Sequence, residues 1–531
     1  MSAITLDANQ FRGLVPRAAT SSAAGACVAH NLDLSGQTLR GFRTPHKVSD
    51  QVGDSLFVDR CCVRVGDCTT DWAQPFPDCP MIYRVHQGVL QAAEVSKACD
   101  EQWCDLGFEA PMKAPGLIPP MLTDGHDVSE TYAVYVVVDK WGNRSAPSLP
   151  SVAVRAPDGE LLTVDGLPTA YPARWCAAKV EIYLARSGQV NGQDETGAVG
   201  LFYAGEVEIG TGSTTVYYDA PGRELETAAY EPPPKGITDL SAWQDGQLAG
   251  LVGGTLRFSE RMHPHNWPAA YAMRFFSQPL RFVTGRHTGY VLTRGQPAIV
   301  KLDHSCDAPF CHAAEHVQQD LPIVSTESAV MFGDSVVYAS REGLIRLDPS
   351  GQVTNLTRSL HDRRTWESLI PQTIKGGRWG TRYVGVGARG AFVLDPDDGS
   401  LVTVDLDAKA FHMGADGFLY FMAADGVYRW DAGDDFMQWR WSTPPLRLGA
   451  YVNLFAYLVR VVYPGVLVRI FELENCESCD GGDLIVEDLV SDCEVLTLPA
   501  SCVARAYRIE LSGKGEVSEV RLGRDLLELY A

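Results

Sequence analysis

Short apolar runs separated by polar turns dominate the second half of the chain. Segments such as "LAGLVGGTLRFSE", "SVVYASREGLIRLDPSG" and "RYVGVGARGAFVLDPDDG" each hold two apolar runs around a glycine-containing turn. This pattern favours paired β-strands, and no stretch shows the 3.6-residue period of a helix. The units recur in steps of 43, 44, 47 and 37 residues, measured between Gly246, Gly289, Gly333, Gly380 and Gly417. A period near 40 residues with paired strands is typical of β-propeller blades.

A second β-rich pattern precedes these units. The segments "TYAVYVVVD", "KVEIYLARSG", "GLFYAGEVEIG" and "TTVYYDAPG" predict strands of one small β-sandwich. The strand followed by "GNRSAPS" resembles a fibronectin type III module. Proline-rich linkers, "PMKAPGLIPP" and "EPPPKG", lie on either side.

The predicted fold class is therefore all-β, a β-propeller with an inserted fibronectin III-like β-sandwich module and little helix. The N-terminal β-rich segment is expected to contribute to the propeller or its platform, and the C-terminal β-rich segment to close the propeller. The predicted domains are residues 1–128 (N-terminal segment), 129–231 (sandwich), 235–440 (propeller blades) and 441–531 (C-terminal segment).

One strand of the first propeller unit ends in an unusual way, in "SERMHPHNWP". Pro264 and Pro268 bracket Trp267, and proline continues neither a helix nor a sheet interior. We predict that these three residues connect two blades, with the tryptophan packed to fix the angle between the sheets. The alternative is a surface loop with a half-buried tryptophan.

Composition and charge narrow the function classes. The chain has 531 residues, 45% hydrophobic and 21% charged, which is ordinary for a folded soluble protein. The net charge of −21 argues against tight binding of nucleic acid or an anionic membrane, because both require a surplus of Lys and Arg on the binding face. The start "MSAITLDANQF" has no signal-peptide pattern, so we expect synthesis in the cytoplasm.

The fourteen cysteines could form disulfides, bind zinc or remain ordinary thiols. Without a secretion signal, a disulfide scaffold is not expected, and ordinary thiols are favoured. The most zinc-like stretch is "HSCDAPFCHAAEH", but its spacing is irregular for a tetrahedral site, so a surface loop is preferred and neither metal nor cofactor is predicted. The potential ligands in that stretch are His304, Cys306, Cys311, His312 and His316.

The sequence contains no nucleophile elbow, phosphate-binding loop or zinc-protease motif. Acidic runs such as "DPDDG" and "DAGDD" could supply the two carboxylates of a glycosidase. They follow strands, however, where aspartate is favoured for its local hydrogen bonds. We therefore predict that the chain is not an enzyme, and a propeller enzyme acting on host surface glycan remains the alternative.

Several segments, in order, resemble the tail nozzle (tail tubular B-like) proteins of short-tailed bacteriophages. They are "FRGLVPRAATSSAAGACVAHNLDLSGQTLRGFRTP", "LGFEAPMKAP", "LAGLVGGTLRFSERMHPHNWP", "VVYASREGLIRLDPSGQVTNLTRSLHDRRTWESLIP" and "YRIELSGKGEVSEVRLG". The cysteine-rich stretches are not part of this resemblance.

The resemblance implies a structural virion protein, assembled in the host cytoplasm and located in the tail. Six copies would form a channel below the head-to-tail adaptor ring, with tail fibres or spikes at the side, and the genome would leave through it. Another tail or adaptor component is a further alternative. Duplex DNA should pass without tight binding, so we predict an acidic channel wall. The candidate channel-lining residues are Asp395, Asp397, Asp398, Asp434 and Asp435.

Overall fold

The computed structural model describes most of the chain, and strands dominate it. The described residues are 4–14, 25–59, 62–76, 79–96, 99–121, 128–157, 160–187, 200–217, 222–303, 310–473, 481–499 and 503–530. The chain divides into two compact units. Unit 1 comprises Met1–Cys68, Gly285–Leu302 and Ala313–Ala531, and unit 2 comprises Thr69–Thr284 and Asp303–His312.

The N-terminal part of unit 1 contributes short strands to sheets formed mainly by the C-terminal half. These strands are β1 (Ile4–Leu6), β2 (Val28–His30), β3 (Leu32–Asp33), β4 (Arg40–Gly41), β5 (His46–Ser49), β6 (Ser55–Val58) and β7 (Val63–Gly66). Strand β6 pairs with β7, and β3 pairs with β4.

Unit 2 contains two four-stranded antiparallel sheets and a β-sandwich. Its strands are β8 (Asp71–Ala73), β9 (Met81–His86), β10 (Val89–Glu94), β11 (Cys104–Asp105), β12 (Gly116–Ile118), β13 (Val128–Asp139), β14 (Val154–Pro157), β15 (Leu161–Asp165), β16 (Ala177–Ser187), β17 (Phe202–Glu208), β18 (Thr214–Tyr217), β19 (Thr238–Ala242), β20 (Leu248–Val252), β21 (Thr255–Phe258), β22 (Ala272–Arg274) and β23 (Pro279–Thr284). The two four-stranded sheets have the orders β11-β10-β9-β8 and β19-β20-β21-β22.

The sandwich packs the sheet β14-β13-β16-β17 against the sheet β12-β15-β18. Strand β13 is buried on both faces, which explains its nearly continuous apolar sequence. Ala133, Tyr135 and Val137 face the core between the two sheets, whereas Val134 and Val136 pack on the other side of β13, among residues that include Tyr183 and Leu225. A strand exposes alternate residues on opposite faces, so both faces here need apolar side chains.

The remaining strands of the chain follow in sequence. They are β24 (Thr288–Thr293), β25 (Ala298–Leu302), β26 (His312–His316), β27 (Val330–Phe332), β28 (Ser335–Ala339), β29 (Leu344–Leu347), β30 (Val353–Asn355), β31 (Lys375–Trp379), β32 (Arg382–Gly387), β33 (Gly390–Leu394), β34 (Leu401–Val404), β35 (Ala410–Met413), β36 (Leu419–Met422), β37 (Val427–Arg429), β38 (Trp439–Ser442), β39 (Leu446–Asn453), β40 (Ala456–Val462), β41 (Val466–Leu473), β42 (Asp483–Val490), β43 (Glu494–Thr497), β44 (Val503–Gly513) and β45 (Glu516–Gly523).

Four-stranded antiparallel sheets of the propeller-blade type recur in unit 1. Strands β27 to β30 form one, and β31 to β34 form the next, which is continuous with a larger sheet through β2. Strands β35, β36 and β37 supply three strands of a further four-stranded sheet. The N-terminal strand β5 is the fourth strand and pairs with β37. A distant part of the chain thus supplies the missing strand.

The two ends of the chain are joined in the same sheets of unit 1. Strand β1 pairs with β45, which also pairs with β40. Strand β2 lies between β34, to which it is parallel, and β38, and this sheet continues through β44 and β41 to β42. Fully buried aromatic residues, including Phe42, Trp430, Trp439 and Trp441, form part of the core of unit 1.

Helices are short in the described part of the chain. The α-helices are α1 (Arg363–Ser368) and α2 (Leu526–Tyr530), and 3-10 turns cover Ala173–Trp175, Thr227–Ala229, Gln244–Gly246, Thr326–Ser328 and Pro371–Thr373. No helix among the described residues is long and apolar enough to span a membrane. The predicted fold class, an all-β propeller type with an inserted sandwich, is confirmed.

Candidate functional site: acidic turns, the tryptophan loop and an apolar surface

The first acidic turn, Asp395–Gly399, connects β33 and β34 and is held by its own aspartates. The Asp395 carboxylate accepts a hydrogen bond from the Asp397 amide at 3.0 Å, and the Asp398 carboxylate accepts one from the Ser400 amide at 2.7 Å. Asp397 also forms a 2.8 Å ion pair with Arg346. These contacts are those expected of aspartate in a turn. Whether the turn lines a channel stays a prediction.

The second acidic turn, Asp431–Asp435, lies against the N-terminal segment of unit 1. The Asp431 carboxylate accepts a hydrogen bond from the Arg43 amide at 2.6 Å, and the backbone carbonyl of Asp435 accepts one from the Thr44 amide. Burial raises the pKa of Asp431. Asp434 and Asp435 are exposed, and the described contacts of the turn include no ion pair for either. The charges of Asp434 and Asp435 are therefore available to solvent, whereas Asp431 is half-buried.

The tryptophan loop lies in the core of unit 2. Trp267 is fully buried in a cluster that contains Tyr83 and Leu90 from one four-stranded sheet and Leu248 from the other. Its indole N–H donates to the Pro264 carbonyl at 2.9 Å. Trp267 therefore lies in a core to which both sheets contribute, and its indole N–H is satisfied within the loop.

Hydrogen bonds from neighbouring segments hold the backbone of this loop. The Trp267 amide donates to the Glu231 carbonyl at 2.8 Å, and Arg257 donates to the Trp267 carbonyl at 3.1 Å. The buried Asn266 side chain donates to Glu260 at 2.6 Å and accepts from the Glu231 amide at 2.9 Å. The loop is thus fixed by packing and by its backbone contacts together.

The zinc-like stretch is partly outside the described residues, because His304 and Cys306 fall there. Cys311 is disulfide-bonded, so it is not a free thiolate. His312 stacks on Phe258 and Phe310 at 4.4 and 4.6 Å between ring centroids, and burial lowers its pKa to about 4. Within the described ranges no three His, Cys, Asp or Glu side chains are grouped to hold a metal ion.

The expectation of ordinary thiols was wrong for several cysteines. Cys104 on β11 and Cys176 at the start of β16 form a disulfide with a Cα–Cα distance of 5.8 Å, which links a four-stranded sheet of unit 2 to the sandwich. Cys27, Cys62, Cys99 and Cys311 are also disulfide-bonded. Cys68, Cys79 and Cys493 are free thiols. The error arose because cysteines 72 residues apart show no pairing signal in the sequence.

Sequence reasoning did not find an apolar surface near the C-terminus. Among the described residues, ten of the 25 exposed large apolar side chains lie between positions 451 and 530. We call six of them the C-terminal patch. They are Tyr451, Phe455, Val503, Leu526, Leu527 and Tyr530. A signal was present in the sequence, since four of the six residues of "DLLELY" are apolar, more than one face of a short helix can bury.

Backbone pairing brings the parts of the C-terminal patch near one another. Asn453 pairs with Val503, and the Phe455 amide donates to the Gly523 carbonyl at 2.9 Å, just before α2. Within α2, Leu529 is buried against β40, whereas Leu527 is 83% exposed. Because backbone pairing groups these exposed side chains, the C-terminal patch is a candidate interaction surface.

A smaller apolar set lies at hairpin tips of the same unit. Tyr463 is 82% exposed in the turn between β40 and β41, and Leu489 is 73% exposed on β42. Leu489 pairs with Leu467, and its side chain lies beside Gly465. Leu489 thus lies beside the turn that contains Tyr463, at one end of these strands.

No family model matches the chain, and no curated protein matches it. Solved structures match at low similarity. Virginiamycin B lyase from Staphylococcus aureus is 8% identical, over 73% of this chain and 94% of that one, with a TM-score of 0.28. PorZ, a surface component of the type-IX secretion system of Porphyromonas gingivalis, is 11% identical over 84% and 64%, with a TM-score of 0.27.

The extracellular domain of a two-component system protein from B. thetaiotaomicron is 11% identical, with a TM-score of 0.27. That match covers 59% of this chain and 39% of the other, so it spans about two-fifths of the solved structure. Similarities of this size carry no argument about function.

Proposed function

We propose that this chain is a structural virion protein that forms the tail nozzle of a short-tailed bacteriophage. Six copies would surround a channel below the adaptor ring, with fibres or spikes attached at the side, and the genome would leave through it. The chain would be assembled in the host cytoplasm and act in the tail of the virion. It would be a conduit and not an enzyme.

The C-terminal patch is the structural observation that supports this proposal best. A monomer would leave Leu527 and Tyr530, 83% and 70% exposed, in water. A stable subunit interface buries about 800 Å² on each partner, with large apolar and aromatic side chains at its centre. Tyr451, Phe455, Leu527 and Tyr530 are side chains of that kind. The ordered resemblance of five segments to nozzle proteins supplies the identity of the assembly.

The position of the patch is also suitable for assembly. It adjoins the sheet that ties the two chain ends together: Phe455 directly precedes β40, α2 follows β45, and β45 pairs with both β1 and β40. A surface on a well-connected sheet is rigid, so little conformational entropy is lost when subunits associate. A subunit held by this surface would keep its propeller-type sheets intact.

Electron microscopy and mass spectrometry of purified particles test the assignment. The chain should be present in six copies per particle, at the tip of the tail. A particle preparation that lacks the chain, or that holds it in the head, would refute the nozzle role.

The patch is tested separately with the variant Leu527→Asp. Its matched control is Val152→Asp, which changes an 85% exposed apolar residue before β14 of the sandwich. Light scattering after size exclusion, with and without the adaptor protein, should show association of the wild type and of Val152→Asp but a loss of association for Leu527→Asp. Equal behaviour of both variants would show that the C-terminal patch is not the interface.

A further inference from the structure

Unit 1 contains a pocket of about 370 Å³ beside strands β33 and β34. Its floor and walls are mainly apolar and come from four parts of the unit: the N-terminal segment, α1 and the residues after it, and strands β33 and β34. The apolar wall residues are Leu14, Trp366, Leu369, Ile374, Phe392 and Leu401.

The walls offer apolar surface and few polar atoms. The Trp366 indole N–H donates to the Ser340 carbonyl at 2.8 Å, so its polar atom is already satisfied. Leu14, Leu369 and Phe392 remain partly exposed. A ligand that covers this apolar surface gains about 25 cal/mol of binding free energy for each Å² that it removes from water. The cavity therefore suits a hydrocarbon group.

The mouth of the pocket carries a cation. Arg389 is exposed at the turn between β32 and β33, and the described contacts give it no ion pair or hydrogen-bond partner. The next residue, Gly390, has φ +124°, and a Cβ there would meet no atom within 4 Å, so the mouth beside Arg389 is open.

The other charged and titratable groups at the mouth are His30, His361 and Asp405. Asp405 is already engaged: its carboxylate accepts from the Asn31 side chain at 2.8 Å and lies 3.1 Å from the His30 ring. The hydrogen bond from Asn31, and then that from His30, hold the pKa of Asp405 below its usual value despite some burial. The Asp405 carboxylate is thus held by two neighbouring side chains, whereas the described contacts give Arg389 no such partner.

We propose that this pocket binds a single-chain anionic amphiphile of the fatty-acid type, with its hydrocarbon chain among the apolar wall residues and its carboxylate at Arg389. Ligand sites in proteins are typically pockets of about 300 to 1,000 Å³ with apolar walls and a few polar groups that orient the ligand. This pocket has that size and that distribution of groups. The inference does not depend on the proposed virion role.

Isothermal titration of the purified full chain with octanoate, decanoate and dodecanoate, each below its micelle concentration, tests the proposal. Affinity should rise about fourfold per methylene until the pocket is filled, because each buried methylene contributes about 0.8 kcal/mol. One ligand should bind per chain. Decanol and decyltrimethylammonium should bind more weakly than decanoate.

Two variants locate the site. Arg389→Gln should lower decanoate affinity about threefold, as expected for an exposed charge pair, and leave decanol affinity unchanged. Its control is Arg358→Gln, which removes another exposed arginine of unit 1 to which the described contacts likewise give no ion pair or hydrogen-bond partner. Leu369→Asp places a charge in the wall at a half-buried position and should abolish binding of all three acids.

Several results would overturn the proposal. They are an affinity that does not change with chain length, equal binding of decanoate and decyltrimethylammonium, or an Arg389→Gln variant that matches the wild type. Binding of several ligands per chain that persists in Leu369→Asp would indicate adsorption to exposed apolar surface instead.

Discussion

A buried carboxylate in the sandwich makes the sharpest stability prediction. Glu181 on β16 is 2% exposed and lies between two arginines. Arg144 donates to it twice, at 2.7 and 3.1 Å, Arg223 donates at 2.8 Å, and the Tyr183 hydroxyl donates at 2.9 Å. The substitution Glu181→Gln keeps the shape of the side chain and removes its charge. It also turns an amide donor toward groups that are themselves donors.

The expected loss follows from these contacts. A hydrogen bond to a charged group contributes about 1.5 to 3 kcal/mol to stability, and a bond between neutral groups contributes about 1 kcal/mol. Each of the three arginine bonds would therefore lose about 1 kcal/mol when the carboxylate becomes an amide, roughly 3 kcal/mol in total. Arg144 and Arg223 are 31% and 45% exposed, so water would partly replace the lost bonds. The neutral amide is also easier to bury than a carboxylate. We expect a net destabilisation of about 2 kcal/mol at pH 7.

Glu206→Gln is a matched control on the neighbouring strand. Glu206 lies directly opposite Glu181 in the register of β16 and β17 and pairs with Lys179 at 2.5 Å, but its side chain is 45% exposed. An exposed pair contributes about 0 to 1 kcal/mol, and removing one of two opposed acidic residues relieves repulsion. The control should therefore change stability by less than about 0.5 kcal/mol.

Hydrogen exchange is the suitable assay, because a chain of two units need not unfold in one step. The opening free energy of the β13 and β16 amides reports the sandwich alone. Equal losses in Glu181→Gln and Glu206→Gln, or a loss below about 0.5 kcal/mol in the first, would refute the reasoning.

The pH dependence gives an independent check. Burial alone would raise the pKa of Glu181, but hydrogen bonds from Arg144 and Tyr183 and the charges of Arg144 and Arg223 outweigh it and lower the pKa. The stabilisation that the ionised Glu181 gives the folded state is therefore complete above the pKa of a glutamate in the unfolded chain, about 4.3. It is lost as the pH falls through the lower pKa that Glu181 has in the folded chain. The difference between the wild type and Glu181→Gln should disappear in acid.

Three further predictions concern cysteine, metal and DNA. Replacing Cys104 and Cys176 with alanine should destabilise unit 2 by up to about 4 kcal/mol, because the disulfide closes a 72-residue loop, whereas Cys68→Ala should have little effect in the same unfolding measurement. Metal analysis of the purified chain should find less than about one tightly held zinc per chain, and stoichiometric zinc that resists dialysis would contradict this. Titrations at physiological ionic strength should show no salt-sensitive binding of duplex DNA to the isolated protein, because acidic turns repel phosphates. Submicromolar binding that weakens steeply with added salt would contradict the acidic channel.

Local patterns in the sequence predicted much of the fold. Apolar runs with glycine turns correspond to hairpins such as β28–β29 and β32–β33, because strand period and turn chemistry are local properties. The completion of the β35–β37 sheet by His46–Ser49 could not be predicted residue by residue, because the pairing partners lie more than 370 positions apart. The disulfide between Cys104 and Cys176 was missed for the same reason.

Three serines spaced three residues apart, just after β13, are a local signal that the sequence analysis did not recognise. The hydroxyls of Ser145, Ser148 and Ser151 accept hydrogen bonds from the amides of alternate residues on β13. The amides of the same serines donate back to the carbonyls of those β13 residues. The segment "SAPSLPS" thus satisfies the edge of β13 without forming a strand. Proline removes backbone donors there, and serine side chains complete the pairing.

The segments that resemble nozzle proteins correspond largely to the cores of the two units. "LAGLVGGTLRFSERMHPHNWP" forms β20, β21 and the buried Trp267 loop, and "YRIELSGKGEVSEVRLG" forms most of β44 and all of β45, two strands that belong to different sheets of unit 1. Packing constrains such residues, so a resemblance in them bears on the fold more than on contacts with partners. The exposed residues Tyr463 and Leu527, which an assembly would use, lie outside these segments. Variants at those surface positions, rather than in the resembling segments, therefore separate a nozzle subunit from another protein built on the same sheets.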